Sequence, residues 1–307
     1  MQQNASECKF GDSNSWVILT SIEQRIKQKI EAVGVPLKDW DISIYRGVLT
    51  GCNEAFIISG SKRQEILDNC LDENEHQRTD ALIRPILRGR DIKRYSYDWA
   101  DLWLLYIPWH FPLQFDSTIV GASEKAERIF QEQYPTVYNH LLQYKPELSA
   151  RNKAETGIRY EWYAMQRWGA NYWEDFLKPK IVWKRVGSIL RFSYDEDGTM
   201  ALDSTCFATG SCIKYLVAIL NSNMGHYLLK DAPKTGTGDL LISVQAVEPV
   251  RIPIPFEKTN NEFEALFNRQ LYHFSQSTED QINHKVYNLY NLSIEEIELI
   301  ENKMDKL

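Results

Sequence analysis

Cations and aromatic rings gather in four stretches of this chain, and together they can hold phosphates and stack on flat rings. In the first stretch, Arg84, Arg88, Arg90, Lys93 and Arg94 run up to Tyr95 and Tyr97. In the second, Arg151, Lys153, Arg159 and Arg167 interleave with Tyr160, Trp162, Tyr163, Trp168, Tyr172 and Trp173. In the third, Lys178, Lys180, Lys184, Arg185 and Arg191 crowd onto what read as strands and their loops. The fourth is the loop Lys234-Thr235-Gly236-Thr237-Gly238-Asp239, either a plain connector or a source of backbone N–H donors near a phosphate. Guanidinium and ammonium groups neutralise phosphates and set register, while rings stack on bases or sugars. The plainer reading is equally physical: solvated strand faces, and an aromatic core whose cations snorkel to water.

The third stretch is where these side chains most need elements to position them. Ile181, Val182 and Trp183 are β-formers, and Pro179 precedes them, where no ladder donor is needed. Leu190, Phe192 and Tyr194 alternate with Ile189, Arg191 and Ser193, and Asp197-Gly198 supplies a hairpin turn. Residues 189–194 are therefore expected to pair with 199–203. Upstream, Ser21 reads as an N-cap with Gln24 completing a capping box; the stripe Ile22, Ile26, Ile30, Val33 follows, and Gly34 and Pro36 stop the helix. Residues 41–45 alternate as a strand, and 47–58 read as strand, turn, strand, with Gly47 and Gly51 allowing close backbone approach. A phosphate-cradling glycine loop is set aside there, because the Gly-Lys-Ser/Thr ending and the following helix are missing.

Helices are expected over 61–71, 124–142 (with Ile129, Val137 and Leu141 on one side) and 213–229, a buried strand over 103–108, and a turn-rich segment at 81–95 broken by Pro85. Acidic helices close the chain at 261–276 and 278–307, the last with a capping box at Ser293 and Glu296.

The 307 residues carry a net charge of −7, which argues against nucleic acid binding by the whole surface but not against a local patch. Residues 78–94 hold about +4 of local charge, and the chain beyond Phe256 is acidic. Cys8, Cys52, Cys70, Cys206 and Cys212 are odd in number and lack Cys-x-x-Cys spacing, which fits free thiols in a reducing cytosol. Six scattered His give no zinc pattern. No apolar run reaches membrane-spanning length and no signal peptide opens the chain, so a cytoplasmic location is expected. The short polar lead, 1–14, with an abrupt first helix reads as a piece taken from something longer.

The order of motifs resembles a known family. Residues 47–56 (Gly-Val-Leu-Thr-Gly-Cys-Asn-Glu-Ala-Phe) and 83–95 (Ile-Arg-Pro-Ile-Leu-Arg-Gly-Arg-Asp-Ile-Lys-Arg-Tyr) resemble the opening of the TaqI-like C-terminal specificity domain. Lys-Pro-Lys-Ile-Val-Trp at 178–183, then 203–207 and Leu-Asn-Ser at 220–222, follow in the same order. Residues 236–255 are similar to the end of a target-recognition domain in type I specificity subunits, and 286–292 to the C-terminus of type IIG restriction–modification enzymes. The resemblance covers about 40–301. It implies an α+β target-recognition domain, with twisted mixed or antiparallel sheets and flanking helices, followed by C-terminal helices. The segments would be a lead and first helix at 1–36, the recognition domain at 37–256 and an acidic helical segment at 257–307.

The resemblance further implies that the chain reads double-stranded DNA for a methyltransferase or nuclease domain, as in adenine-specific enzymes that use S-adenosylmethionine. Neither the Asn-Pro-Pro-Tyr-type motif nor a glycine-rich cofactor loop occurs in this sequence, so no cofactor, metal or catalytic residue is assigned to it. Glu-x-Lys occurs at Glu7–Lys9 and Glu301–Lys303 without a Pro-Asp partner, and no nucleophile–base pair recommends an independent hydrolase. The expected DNA contacts are Arg84, Arg88, Arg90, Lys93, Arg94, Arg151, Lys153, Arg167, Trp168, Lys184, Arg185, Arg191, Lys234 and Thr235. The rival expectation is a protein-interaction module whose rings and charges dock a methyltransferase core or an anti-restriction partner without touching DNA.

Overall fold

The computed structural model describes residues 19–304. The polar lead, Cys8 and the Glu7–Lys9 motif lie outside the described residues. An α+β architecture is seen, as the resemblance implies, but its compact units are not consecutive segments. Of the described residues, one unit comprises 19–43, Val186–Phe192 and 210–304; the other comprises Ile44–Arg185 and Ser193–Thr209.

The 44–185/193–209 unit is built on two four-stranded sheets. In one, the order is Ile57–Ser59, Leu102–Leu105, Ile83–Leu87, Met200–Ala201, antiparallel except for the last pair. Pro85 is tolerated within this sheet because the 200–201 strand pairs only with Ile86 and Leu87, so the missing N–H falls outside that ladder. In the other, the order is Ile42–Arg46, Thr205–Gly210, Lys180–Lys184, Phe192–Asp195. Lys180–Lys184 is buried at four of five positions and runs antiparallel to Thr205–Gly210, with Val182 opposite Phe207. Val48, Phe56, Ile86, Leu104, Phe130, Tyr163, Phe176, Val182 and Phe207 share the core.

The hairpin expected around Asp197-Gly198 does not form. Gly198 does adopt the positive φ of the turn (71°), but the two flanking strands enter different sheets. The side chain of Asp195 closes the turn instead, accepting from the Asp197 N–H (3.0 Å), the Thr199 N–H (3.1 Å) and the Thr199 hydroxyl (2.7 Å). Its other partners are the Tyr97 phenol, which donates at 3.2 Å, and the wholly buried Lys180, which also donates to the Phe176 carbonyl (2.6 Å). Strands buried on both faces need neighbours on both faces, and a two-stranded hairpin cannot supply them.

Residues 47–58 also depart from the expected strand–turn–strand. Val48 and Leu49 make single bridges, to Leu202 and Arg167, and Asn53–Phe56 is a helical turn before the 57–59 strand. Gly47 does bring backbone onto backbone: a Cβ there would sit 2.2 Å from the Leu202 carbonyl oxygen. The helix expected over 124–142 is two, Glu124–Gln133 and Pro135–Leu142, because Pro135 lacks the N–H that would continue the first.

In the other unit, the helix Ser21–Val33 is capped by Thr20 and Glu23, one residue ahead of the expected Ser21 and Gln24, and ends at Gly34. The 213–229 helix is interrupted at Ser222, whose hydroxyl caps a second helix by accepting from the Gly225 N–H (3.1 Å). Helices Glu257–Tyr272, Gln276–Leu289 and Ile294–Met304 follow. Ser293 and Glu296 form the expected capping pair, and Lys29 of the first helix holds the Glu296 carboxylate at 2.7 Å. The second Glu-x-Lys motif is structural: Glu301 accepts from the Tyr287 phenol (3.2 Å) and Lys303 pairs with Glu23.

Candidate nucleic-acid interface

Ser204 is the residue that gathers the cations. Its hydroxyl accepts from the Gly89 N–H (3.1 Å) and its carbonyl from the Arg185 N–H (2.9 Å), so the turn at 88–91 and the end of the 180–184 strand meet at one place. The fit at Gly89 is close enough that a Cβ would lie 2.9 Å from the Lys184 Cγ. Inside the turn, the Asp91 carboxylate accepts from the Arg88 backbone N–H (2.8 Å) and grips its guanidinium twice (2.7 and 3.0 Å). This hydrogen bonding holds the Arg88 pKa above its ordinary value against the opposing effect of burial. Arg88 is thereby committed to shaping the turn, and the exposed Arg90 and Lys184 are its outward charges.

Arg90, Lys184 and Arg185 have no ion pair among the described residues, and the half-buried Arg185 has a buried Nε with no acceptor. A guanidinium that is partly desolvated without a counter-charge is costly, and a phosphate would relieve that cost. Farther along the same segment, Lys93 pairs with Asp98 (3.2 Å) and the Arg94 guanidinium lies 5.8 Å from the Tyr95 ring centre. Arg84 is not part of this gathering; it lines a cleft with Tyr106 and Trp168.

The second stretch is mostly interior. Arg151 is buried and its guanidinium donates to four carbonyls: Leu148 (3.0 Å), Trp162 (2.8 Å), Ala164 (2.5 Å) and Thr50. The DNA contact expected for Arg151 is therefore replaced by a structural role, since every nitrogen already has a fixed acceptor. Burial also lowers its pKa from the ordinary arginine value. Trp168 is buried as well, at 8% exposure, and lines the cleft. Arg167 is half-buried and donates to the Gly47 carbonyl (2.9 Å), with Arg46 and its partner Asp203 (3.0 Å apart) close by. Burial, then repulsion from Arg46, lowers the Arg167 pKa. Lys153 is exposed.

Arg191, Lys234 and Thr235 lie in the other unit. Leu240–Leu241 pairs with Val186–Gly187, so the segment carrying Arg191 and the glycine loop share a small sheet. The loop closes on itself: the Thr235 N–H donates to the Asp239 carbonyl (2.8 Å) and the Gly238 N–H to the Thr235 carbonyl (2.9 Å). Two of the loop's N–H groups are thus taken, and the exposed Lys234 carries the loop's positive charge.

Sequence reasoning missed Ser204, Arg46, Gln114 and Phe115. Ser204 has no signal of its own, since its role exists only once Gly89 and Arg185 reach it. Among the described residues no cluster of His, Cys, Asp and Glu could hold a metal ion, and no helix is long and apolar enough to cross a membrane.

Residues 84–254, more than half of the chain, match the TaqI-like C-terminal specificity domain. No curated protein matches the sequence. Among solved structures, a type IIL restriction–modification enzyme, MmeI, in complex with DNA is similar, with a TM-score of 0.51 and 12% identity over 90% of this chain and 37% of that one. The type IIG restriction endonuclease BpuSI gives a TM-score of 0.45 and 13% identity over 88% of this chain and 32% of that one. The chain thus spans about a third of the length of the enzymes it matches.

Proposed function

Because the chain belongs to the TaqI-like C-terminal specificity domain family, we propose that it recognises a short sequence in double-stranded DNA on behalf of a restriction–modification enzyme. Methylation of adenine, cleavage, or both would be carried out by a catalytic domain outside this sequence. S-adenosylmethionine would bind there.

The observation that carries this reading is the convergence on Ser204 of Arg90, Lys184 and Arg185, three cations without an ion pair among the described residues. Such groups neutralise phosphates and fix register, while base edges are read by side chains on neighbouring loops. Lys153, Lys93 and Arg94 are candidates for further backbone contacts. Arg191, Lys234 and Thr235 supply the corresponding charge and hydroxyl in the other unit.

The test is binding to a randomised duplex pool at low salt and again at about threefold higher salt. Each neutralised phosphate contributes roughly −0.9 to the slope of log K against log salt. The double variant Arg90→Ala/Lys184→Ala is expected to weaken binding at low salt and to reduce that slope by roughly 1 per contact removed. A selected consensus in the pool would give the recognised sequence. Salt-tolerant binding to a protein partner with no affinity for DNA would instead establish the interaction-module reading.

A further inference from the structure

The cleft that Arg84 lines has a volume of about 200 Å³ and is formed by residues of the 44–185/193–209 unit alone. That is smaller than the roughly 300–1,000 Å³ of drug-sized sites, and suits a single flat ring system. Its walls are aromatic: Trp168 and Tyr106 meet edge-on (centres 6.5 Å apart), and Phe115 lies 6.1 Å from Trp173. Phe115 is 68% exposed, unusual for a phenylalanine beside other rings and consistent with a face waiting to be covered.

Two polar groups in the cleft lack partners. The Arg84 guanidinium makes no hydrogen bond or ion pair among the described residues, although it is only half-exposed. The Gln114 Oε1 is buried without a donor. Nearby Arg78 differs, because its Nε and Nη2 are held by the Gln133 carbonyl (3.3 and 3.0 Å). The cleft thus offers one cation, one amide acceptor and a lining of aromatic rings. A ligand that satisfies all three presents an aromatic ring, an N–H on that ring's edge and an anion attached to it.

We propose that this cleft binds one unstacked nucleotide, its base against the Trp168, Trp173 and Phe115 rings, a base N–H donating to Gln114 Oε1 and its phosphate on Arg84. Every base carries an edge N–H and a π-face, so the cleft would accept a nucleotide without strong base preference. The nucleotide can be free or turned out of a duplex. Only the second source rests on the DNA-recognition reading above.

The experiment uses the whole chain, with tryptophan fluorescence and calorimetry reporting titrations of dAMP, dCMP, dGMP and dTMP and of the matching nucleosides. Arg84→Gln should weaken nucleotide binding by about tenfold or more, as loss of a charge-assisted hydrogen bond does. It should leave nucleoside binding unchanged, and Arg84→Lys should recover part of the loss. Gln114→Leu should weaken nucleotides and nucleosides alike. Duplexes carrying 2-aminopurine identify the source: brightening with the wild-type chain but not with Arg84→Gln supports a base turned out of DNA. Mononucleotide binding that depends on Arg84, without duplex binding, supports a free-nucleotide site while the DNA reading fails. Duplex binding of ordinary salt dependence with no mononucleotide affinity, or affinity indifferent to Arg84 and Gln114, overturns the proposal and leaves the DNA reading standing. Thermal melts of each variant separate these outcomes from failure to fold.

Discussion

Replacing Arg151 by methionine tests the division between cations that build the fold and cations that face outward. The side chain is buried, and its guanidinium supplies the hydrogen bonds to the carbonyls of Leu148, Thr50, Trp162 and Ala164. Its guanidinium carbon also sits 5.5 Å from the Phe56 ring centre, at the edge of the core. Methionine would retain much of the stem's volume but none of the donors. Each buried acceptor left without a partner costs about 1–3 kcal/mol, and relaxation keeps the total below four times that. A loss of roughly 3–5 kcal/mol is expected, the size seen when a buried charged network is broken. Against a usual total of about 5–15 kcal/mol, that leaves the unit marginal. In urea, with a slope of about 2 kcal/mol/M, the unfolding midpoint should fall by roughly 2 M. DNA affinity measured well below the new midpoint should be close to wild type. An unchanged midpoint with lost DNA affinity would refute the reasoning, because it would mean that the guanidinium reaches phosphate instead of these carbonyls.

Two further outcomes follow from single contacts. His140 is buried, its Nε2 3.0 Å from the Ala55 carbonyl and its Nδ1 without a partner, and burial lowers its pKa below the ordinary 6.5. The unfolded chain then binds the proton more readily, so this stabilisation is complete above about pH 6.5 and is lost as pH falls from there toward the folded pKa. Melting temperatures between pH 7.5 and 5.5 should drop more steeply for the wild type than for His140→Gln, which keeps an N–H donor for Ala55; parallel slopes would exclude His140 as the titrating group. Gly47→Ala places a Cβ 2.2 Å from the Leu202 carbonyl oxygen, where both partners are backbone and neither can rotate away. A loss of about 1–3 kcal/mol is expected by denaturant unfolding, and a wild-type midpoint would show that the two segments are free to separate.

What could be read from the sequence was local. The 180–184 strand follows from three β-formers behind Pro179, and the first helix from its apolar stripe and Gly34. Both rest on periodicities that a segment carries within itself. The hairpin at 189–203 failed because Asp195 satisfies the turn with its side chain, and burial on both faces sends each strand to a different sheet. No window of sequence contains that information, since Lys180 and Ile86 decide it from a distance. Arg151 failed for the same reason. Flanked by aromatics, it is compositionally indistinguishable from a phosphate-binding arginine until Thr50, about a hundred positions away, brings a carbonyl to it. Arg90 and Lys184 differ from it in being exposed and in having no ion pair among the described residues.

Charge distribution sets how such a site can operate. A chain of net charge −7 is repelled by DNA at long range, so attraction must come from groups within about a Debye length of the phosphates, roughly 8 Å at physiological salt. Ser204 joins the backbone segments that carry Arg90, Lys184 and Arg185, and under the proposed function these are the groups that would have to come within that distance of phosphate. Steering over longer distances, which raises association rates in proteins of uniform positive field, is not accessible to this chain. Its association with DNA should therefore be slow relative to an electrostatically steered protein. Any gain in affinity from a catalytic domain linked to it would come through effective concentration, the second contact becoming intramolecular once the first has formed.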